Sequence, residues 1–196
     1  MSAAAHAHAG PHAHAAEAAT RGKVAIWWFL ASEIMLFGGL ISSFVVSRLG
    51  GAAQVDHSQL NVMVAAINTF ILLSSSYTMV EAFACADRGD RSGMRIFLAF
   101  TVLGGLAFLG IKAYEYTGEI VHGFTPWAGT FWSFYYTMTG LHGLHVLVGV
   151  IVNAALAIAA SRTIWPQVAH RVEYAGLYWH FVDVVWIFLF PLLYLS

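Results

Sequence analysis

Five long apolar stretches separated by short polar links dominate the chain. They run from Val24 to Ser47, Leu60 to Ala86, Arg95 to Tyr116, Phe131 to Ala160 and Glu173 to Leu195. At about 1.5 Å of rise per residue, about 20 helical residues cross the hydrocarbon core of a bilayer. Each stretch is therefore long enough to span. The links over 48–59, 87–94, 117–130 and 161–172 are too short for extramembrane domains. The pattern predicts an all-α integral membrane bundle of five transmembrane helices. A polar, Ala/His-rich tail over 1–23, expected to be disordered, precedes a membrane domain over 24–196.

Composition agrees with that reading. A soluble domain carries about 25% charged residues. Here 10% are charged and 59% hydrophobic, and the mean hydropathy is +0.70. Such a chain has too little polar surface for water, so its solvent is largely lipid. The net charge of −1 gives no general attraction to nucleic acid. The single cysteine, Cys85, excludes an intramolecular disulfide and a cysteine-based metal cluster, and reads as a small apolar side chain near a helix end. The run from Ser2 to Thr20 lacks the apolar core of a secretory signal. His6, His8, His12 and His14 punctuate it; loose binding of a divalent metal is one reading of such a run, simple disorder the expected one.

Charge distribution predicts orientation. With the N-terminus inside, Arg21, Lys23, Arg88, Arg91, Arg95, Arg162 and Arg171 fall on the inner side, seven in all, and only Arg48 and Lys112 on the outer side. That division obeys the positive-inside rule and sends the C-terminus outward. Trp27, Trp28 and Trp165 then lie near the inner boundary and Trp127 and Trp132 near the outer one. The run of Tyr114, Tyr116, Phe131, Trp132, Phe134, Tyr135 and Tyr136 marks the outer boundary as well. Small residues recur every fourth position at Gly39, Ser43 and Ser47, and again at Ser74, Thr78, Ala82 and Ala86, a pattern of close helix packing.

Ionisable residues at membrane depth are costly unless paired, neutralised or hydrated. Glu33 lies well inside the first helix, His142 and His145 inside the fourth, and His180 and Asp183 inside the fifth. His142 and His145 form an H-x-x-H pair on one helical face. A metal site needs further ligands, which His180 and Asp183 are placed to supply. The alternative is a set of hydrogen bonds between the fourth and fifth helices. Glu33 reads either as a proton carrier, since a carboxyl withdrawn from water can exchange a proton near neutral pH, or as a hydrogen-bonded structural carboxyl, the preferred reading. Glu115, three residues after Lys112, is placed for a local ion pair.

Five strings, one per helix and in order, carry a resemblance. They are Trp28-Phe29-Leu30-Ala31-Ser32-Glu33; Asn68-Thr69-Phe70-Ile71-Leu72-Leu73-Ser74; Tyr114-Glu115-Tyr116; Thr139-Gly140-Leu141-His142-Gly143-Leu144-His145-Val146; and Tyr178-Trp179-His180-Phe181-Val182-Asp183-Val184-Val185-Trp186. Together they resemble subunit III of the haem-copper oxidases, the cytochrome c oxidase subunit III family, from about residue 24 onward. The resemblance implies a non-catalytic subunit of a proton-pumping respiratory oxidase in a bacterial inner membrane. Haem and copper would then belong to partner subunits I and II, with neither metal nor redox centre in this chain. Further small subunits or a larger respiratory supercomplex are possible associates. Glu33, Glu115, His142, His145, His180 and Asp183 match the family's buried polar positions, which support a nearby proton-uptake path. Trp28, Trp179 and Arg171 are the expected contacts for bound phospholipids. Larger members have seven helices, and this chain begins at the equivalent of their third. The lipid cleft of those members would here need a wall from another subunit.

Three other readings compete. One is subunit III of a quinol oxidase, although Ser32-Glu33 and Tyr178-Trp179-His180 look more like the cytochrome c type. Another is an accessory protein of nitric oxide reductase. The last, an independent transporter, lacks the internal repeats and broken helices that many transporters show.

Overall fold

In the computed structural model, the backbone is described over residues 11–53, 60–160 and 165–195, and the side chains over 21–53, 60–160 and 170–195. It forms five helices: α1 (Pro11–Leu49), α2 (Val62–Asp87), α3 (Arg91–Val121), α4 (Thr130–Ala159) and α5 (Trp165–Tyr194). Among the described residues there is no strand, and all five helices are long and apolar enough to cross a membrane. Helix starts move at α3, to Arg91 from the expected Arg95, and at α5, to Trp165 from the expected Glu173, and two further boundaries move as well. Residues 11–23, expected within a disordered tail, continue α1 as helical backbone, because nothing between Pro11 and Val24 breaks a helix except Gly22. His6 and His8 lie outside the described residues, as do the side chains of His12, His14 and Trp165. At the other boundary, α3 runs on to Val121 instead of stopping at Tyr116.

The helix ends follow local chemistry. Asn61 caps α2, its Oδ1 accepting from the Val64 N–H at 3.1 Å, and Asp90 caps α3 by accepting from the Gly93 N–H at 3.0 Å. Gly89 (φ 79°) ends α2 and Gly123 (φ 88°) ends α3. In each case the next residue's N–H reaches back five positions: Asp90 to the Cys85 carbonyl and Phe124 to the Glu119 carbonyl, both at 2.9 Å. Glycine adopts this left-handed conformation without the penalty a Cβ brings.

The tight turn over 88–90 makes α2 and α3 an antiparallel pair. Helices α2 to α5 close a ring in which α2 touches α3 and α5, and α4 touches the same two; α1 lies outside against α4 and α5. Trp179 sits at the centre, fully buried. Gly105 of α3 and Gly149 of α4 make room for its indole; a Cβ at either would lie 2.7 or 2.6 Å from ring carbons. Its Nε1–H donates to Ser75 Oγ of α2 at 3.3 Å. One side chain thus ties four helices. Trp179 was expected to meet lipid, and that expectation is corrected: the two glycines seat the indole inside the bundle.

The outer aromatic run is corrected in the same way. Phe131, Trp132 and Tyr135 are buried, and Phe124 stacks on Trp132 at 4.6 Å, so most of the run packs helices together; Tyr114 and Trp127 remain exposed. Trp27 and Trp28 are exposed.

Candidate functional site

The mid-membrane polar residues separate into three groups. The first joins α1 to α4. His145 Nδ1 lies 2.8 Å from the Leu141 carbonyl, and its Nε2 3.1 Å from Glu33 Oε2. A carbonyl only accepts, so Nδ1 carries a proton there. The Nε2–Glu33 contact then shares one further proton, held by either partner, and the pair is neutral overall. Phe37 meets the imidazole edge-on at 5.3 Å, and the Tyr178 hydroxyl donates to the His145 carbonyl at 3.0 Å. At the end of α1 that bears Lys23, a half-exposed ion pair between Lys23 and Glu173 (2.9 Å) adds a second tie to α5.

The second group joins α3 to α4 and α5. Lys112 Nζ donates to Glu115 Oε2 at 3.2 Å, to the Tyr194 hydroxyl at 2.7 Å and to the Tyr135 hydroxyl at 3.3 Å. The Tyr135 hydroxyl donates to Glu115 Oε1 at 2.7 Å, and the Tyr194 hydroxyl donates to the same oxygen. The ring centroids of Tyr116, Tyr135, Trp186 and Tyr194 lie 5.0 to 5.4 Å from the ammonium, which meets Tyr194 in line with its hydroxyl and not over its face. The anticipated Lys112–Glu115 pair is present but buried, nine residues before the end of α3, or about 14 Å along the axis. Lys112, expected at a helix end beside the outer boundary, is therefore an interior charge.

The third group joins α2 to α5. Ser76 Oγ is 2.7 Å from His180 Nδ1, and Trp186 Nε1–H donates to Thr69 Oγ1 at 2.9 Å. Asp183 is buried between these contacts, with neither carboxyl oxygen hydrogen-bonded.

His142 belongs to none of them. It is fully buried, stacks on Trp186 at 5.0 Å and meets Phe108 edge-on at 5.5 Å, and neither nitrogen has a hydrogen-bond partner. The H-x-x-H pair accordingly diverges: His142 points toward α3 and α5, His145 toward α1. The two residues are one turn apart but about 60° apart in rotation, enough to face different helices. Among the described residues, no three His, Cys, Asp or Glu side chains approach closely enough to hold a metal ion. Cys85 is buried near the end of α2. Of the expected lipid contacts, Trp28 and Arg171 are exposed.

Tyr135, Tyr194 and Ser76 went unrecognised as site residues. A signal for the cage existed: Lys112 precedes the next helix-ending glycine, Gly123, by eleven positions, too deep for a boundary lysine.

The arrangement defines a polytopic helical membrane protein whose buried polar groups bind its own helices to one another. Comparison with known proteins makes this specific. The family described as cytochrome c oxidase subunit III matches over residues 3–196, and the chain belongs to that family. It is similar to the cytochrome c oxidase subunit 3 of Corynebacterium diphtheriae, 37% identical over 171 residues, covering 85% of this chain and 83% of the relative. It is also similar to the quinol oxidase subunit 3 of Bacillus subtilis, 35% identical over 173 residues (86% and 84%). The probable quinol oxidase subunit 3 of Staphylococcus haemolyticus is 35% identical over 176 residues (88% of each). The chain is thus subunit III of a haem-copper oxidase, a bacterial membrane protein associated with the other subunits of an oxidase complex.

Proposed function

We propose that this chain is the non-catalytic third subunit of a proton-pumping cytochrome c oxidase in the bacterial inner membrane. It binds beside subunit I with subunit II in the same complex, stabilises the catalytic core, retains phospholipid and keeps proton uptake working over many turnovers. It holds no redox centre; haem and copper reside in the partner subunits. The observation that carries this reading is the pairing of Glu33 with His145. The carboxyl is engaged within the chain, as a brace between α1 and α4, and is not presented to a transported substrate.

Around that brace, α1 turns large apolar side chains outward, among them Val24, Ile34, Met35, Leu36 and Val46. Gly39 and Ser43 are exposed on the same helix, so the small-residue stripe of α1 is unused inside the chain. These features suit a neighbouring helix of another subunit. With Lys112 buried, seven basic residues remain inside against Arg48 outside, which supports a cytoplasmic N-terminus.

Quinol-type relatives sustain a second reading, in which quinol is the electron donor. The deciding experiment is purification in mild detergent through a tag on this chain, followed by an optical spectrum and oxygen consumption. Co-purifying haem with oxidation of reduced cytochrome c is the expected result. Oxidation of quinol alone selects the second reading, and absence of haem overturns both. Stoichiometric iron or copper in the isolated, folded subunit overturns the division of labour.

A further inference from the structure

A cavity of about 540 Å³ opens between the start of α2 and the end of α3, lined by Asn61, Val64, Tyr114, Glu119 and His122 among others. Its charge is one-sided. Glu115 and Glu119 line it, and among the described residues no lysine or arginine does. Glu115 is already held by Lys112, Tyr135 and Tyr194. Glu119 is different: it is 9% exposed, its backbone carbonyl accepts from Phe124, and its carboxyl makes no hydrogen bond among the described residues. The C-terminal end of α3 adds partial negative charge at the same place. His122 Nδ1–H donates to the Gly118 carbonyl at 2.7 Å, which leaves Nε2 as an acceptor. The opposite wall is the N-terminus of α2, where Asn61 uses its Oδ1 as the cap and keeps its amide N–H groups free. A positive helix end therefore faces a negative helix end and a buried carboxyl across one cavity.

The same seam continues into the bilayer. Further along α2 and α3, a second, nearly apolar groove of about 360 Å³ is lined by Phe70, Ile71, Phe100, Leu103, Gly104 and Ala107. From Val64 to Ile71 is seven residues, about 10 Å along the helix. A polar cavity and, about two helical turns further along, an apolar groove thus lie on the same pair of helices.

We propose that this seam binds one zwitterionic phospholipid with a primary-ammonium headgroup, of the phosphatidylethanolamine class. The ammonium meets Glu119 and His122 Nε2, the phosphate meets Asn61 and the first turn of α2, and an acyl chain follows the apolar groove. The site is separate from the Trp28 and Arg171 region. It rests on the membrane character of the chain and not on the identity of the electron donor.

The test uses the purified oxidase complex containing this subunit, stripped with detergent and re-exposed to vesicles of phosphatidylethanolamine, phosphatidylcholine or phosphatidylglycerol. Retained lipid is counted by native mass spectrometry. The wild type is expected to hold one phosphatidylethanolamine in preference to the other two, since the trimethylated headgroup offers no N–H donors. Glu119→Gln should weaken that retention by about tenfold, the scale of one charge-assisted hydrogen bond, and Glu119→Asp should restore most of it. Equal retention of all three headgroups by the wild type overturns the proposal without any variant. So does unchanged retention in Glu119→Gln, or a crosslink from Glu119 to a basic side chain of another subunit. Haem content scored on the same sample reads the subunit assignment separately: selective retention without haem sinks that assignment and leaves the lipid site standing.

Discussion

The buried cage around Lys112 offers the sharpest test of the structure. At 3.2 Å, the ammonium and the Glu115 carboxylate attract by about 5 kcal/mol at an effective dielectric constant of about 20. Three hydrogen bonds and four aromatic side chains surround the ammonium, and both members of the pair are almost fully buried. Lys112→Met leaves Glu115 as a buried carboxylate with only the tyrosine hydroxyls as donors. Glu115→Gln leaves a buried ammonium without its paired carboxylate, with Glu119 as the remaining carboxylate in electrostatic range. Removing one partner of a buried pair costs about 3–5 kcal/mol, whereas replacing both with groups of similar volume is often close to neutral. Each single variant should therefore lose about 3–5 kcal/mol, and Lys112→Met combined with Glu115→Gln should lose less than either alone. The assay is unfolding of the subunit in mixed micelles by denaturing detergent, followed through its tryptophan fluorescence. Single losses below about 1 kcal/mol, or losses that simply add in the double variant, refute the reasoning. Either result means that water reaches the ion pair and that the cage is not closed.

Other expectations follow from the same contacts. Glu33→Gln keeps an N–H able to donate to His145 Nε2, so initial oxygen consumption and proton pumping should stay near wild type, while Glu33→Ala should shorten the working lifetime of the complex; loss of pumping from the first turnover in Glu33→Gln means that the carboxyl relays protons itself. Gly149→Ala places a Cβ 2.6 Å from the Trp179 ring and should cost about 1–3 kcal/mol in the same unfolding titration. An unchanged midpoint there removes Trp179 from its seat between α3 and α4. A cysteine replacing Arg91 should be labelled only from the cytoplasmic side and one replacing Leu195 only from outside, and the opposite pattern reverses the proposed topology.

The sequence by itself determined the class, the number of helices and the family strings. Length and apolarity are one-dimensional properties, and a bilayer converts them directly into spans, because every backbone polar group must be satisfied within a helix. The turn residues act just as locally, Asn61 and Asp90 starting helices and Gly89 and Gly123 ending them through bonds that reach only a few positions, yet the spans drawn from apolarity alone placed the ends of α3 at Arg95 and Tyr116 and passed over them. The place of Glu33, His142, His145, His180 and Asp183 within long apolar helices was legible, because apolar sequence surrounds each of them.

Direction was not legible. Which way each polar side chain points depends on how helices rotate against one another, and lipid is apolar on every side, so helical periodicity carries little information about the interior. That is why His142 and His145, adjacent in the pattern, reach different partners. It is also why Trp179, an aromatic expected at the lipid, sits inside the bundle. Its seat is made by Gly105 and Gly149, which lie 74 and 30 positions away and become neighbours only when three helices pack. The cage has the same origin: Lys112 and Glu115 are one turn apart and could be paired from sequence, but Tyr135 and Tyr194 come from two other helices. Tertiary packing alone decided which charges are buried and what holds them.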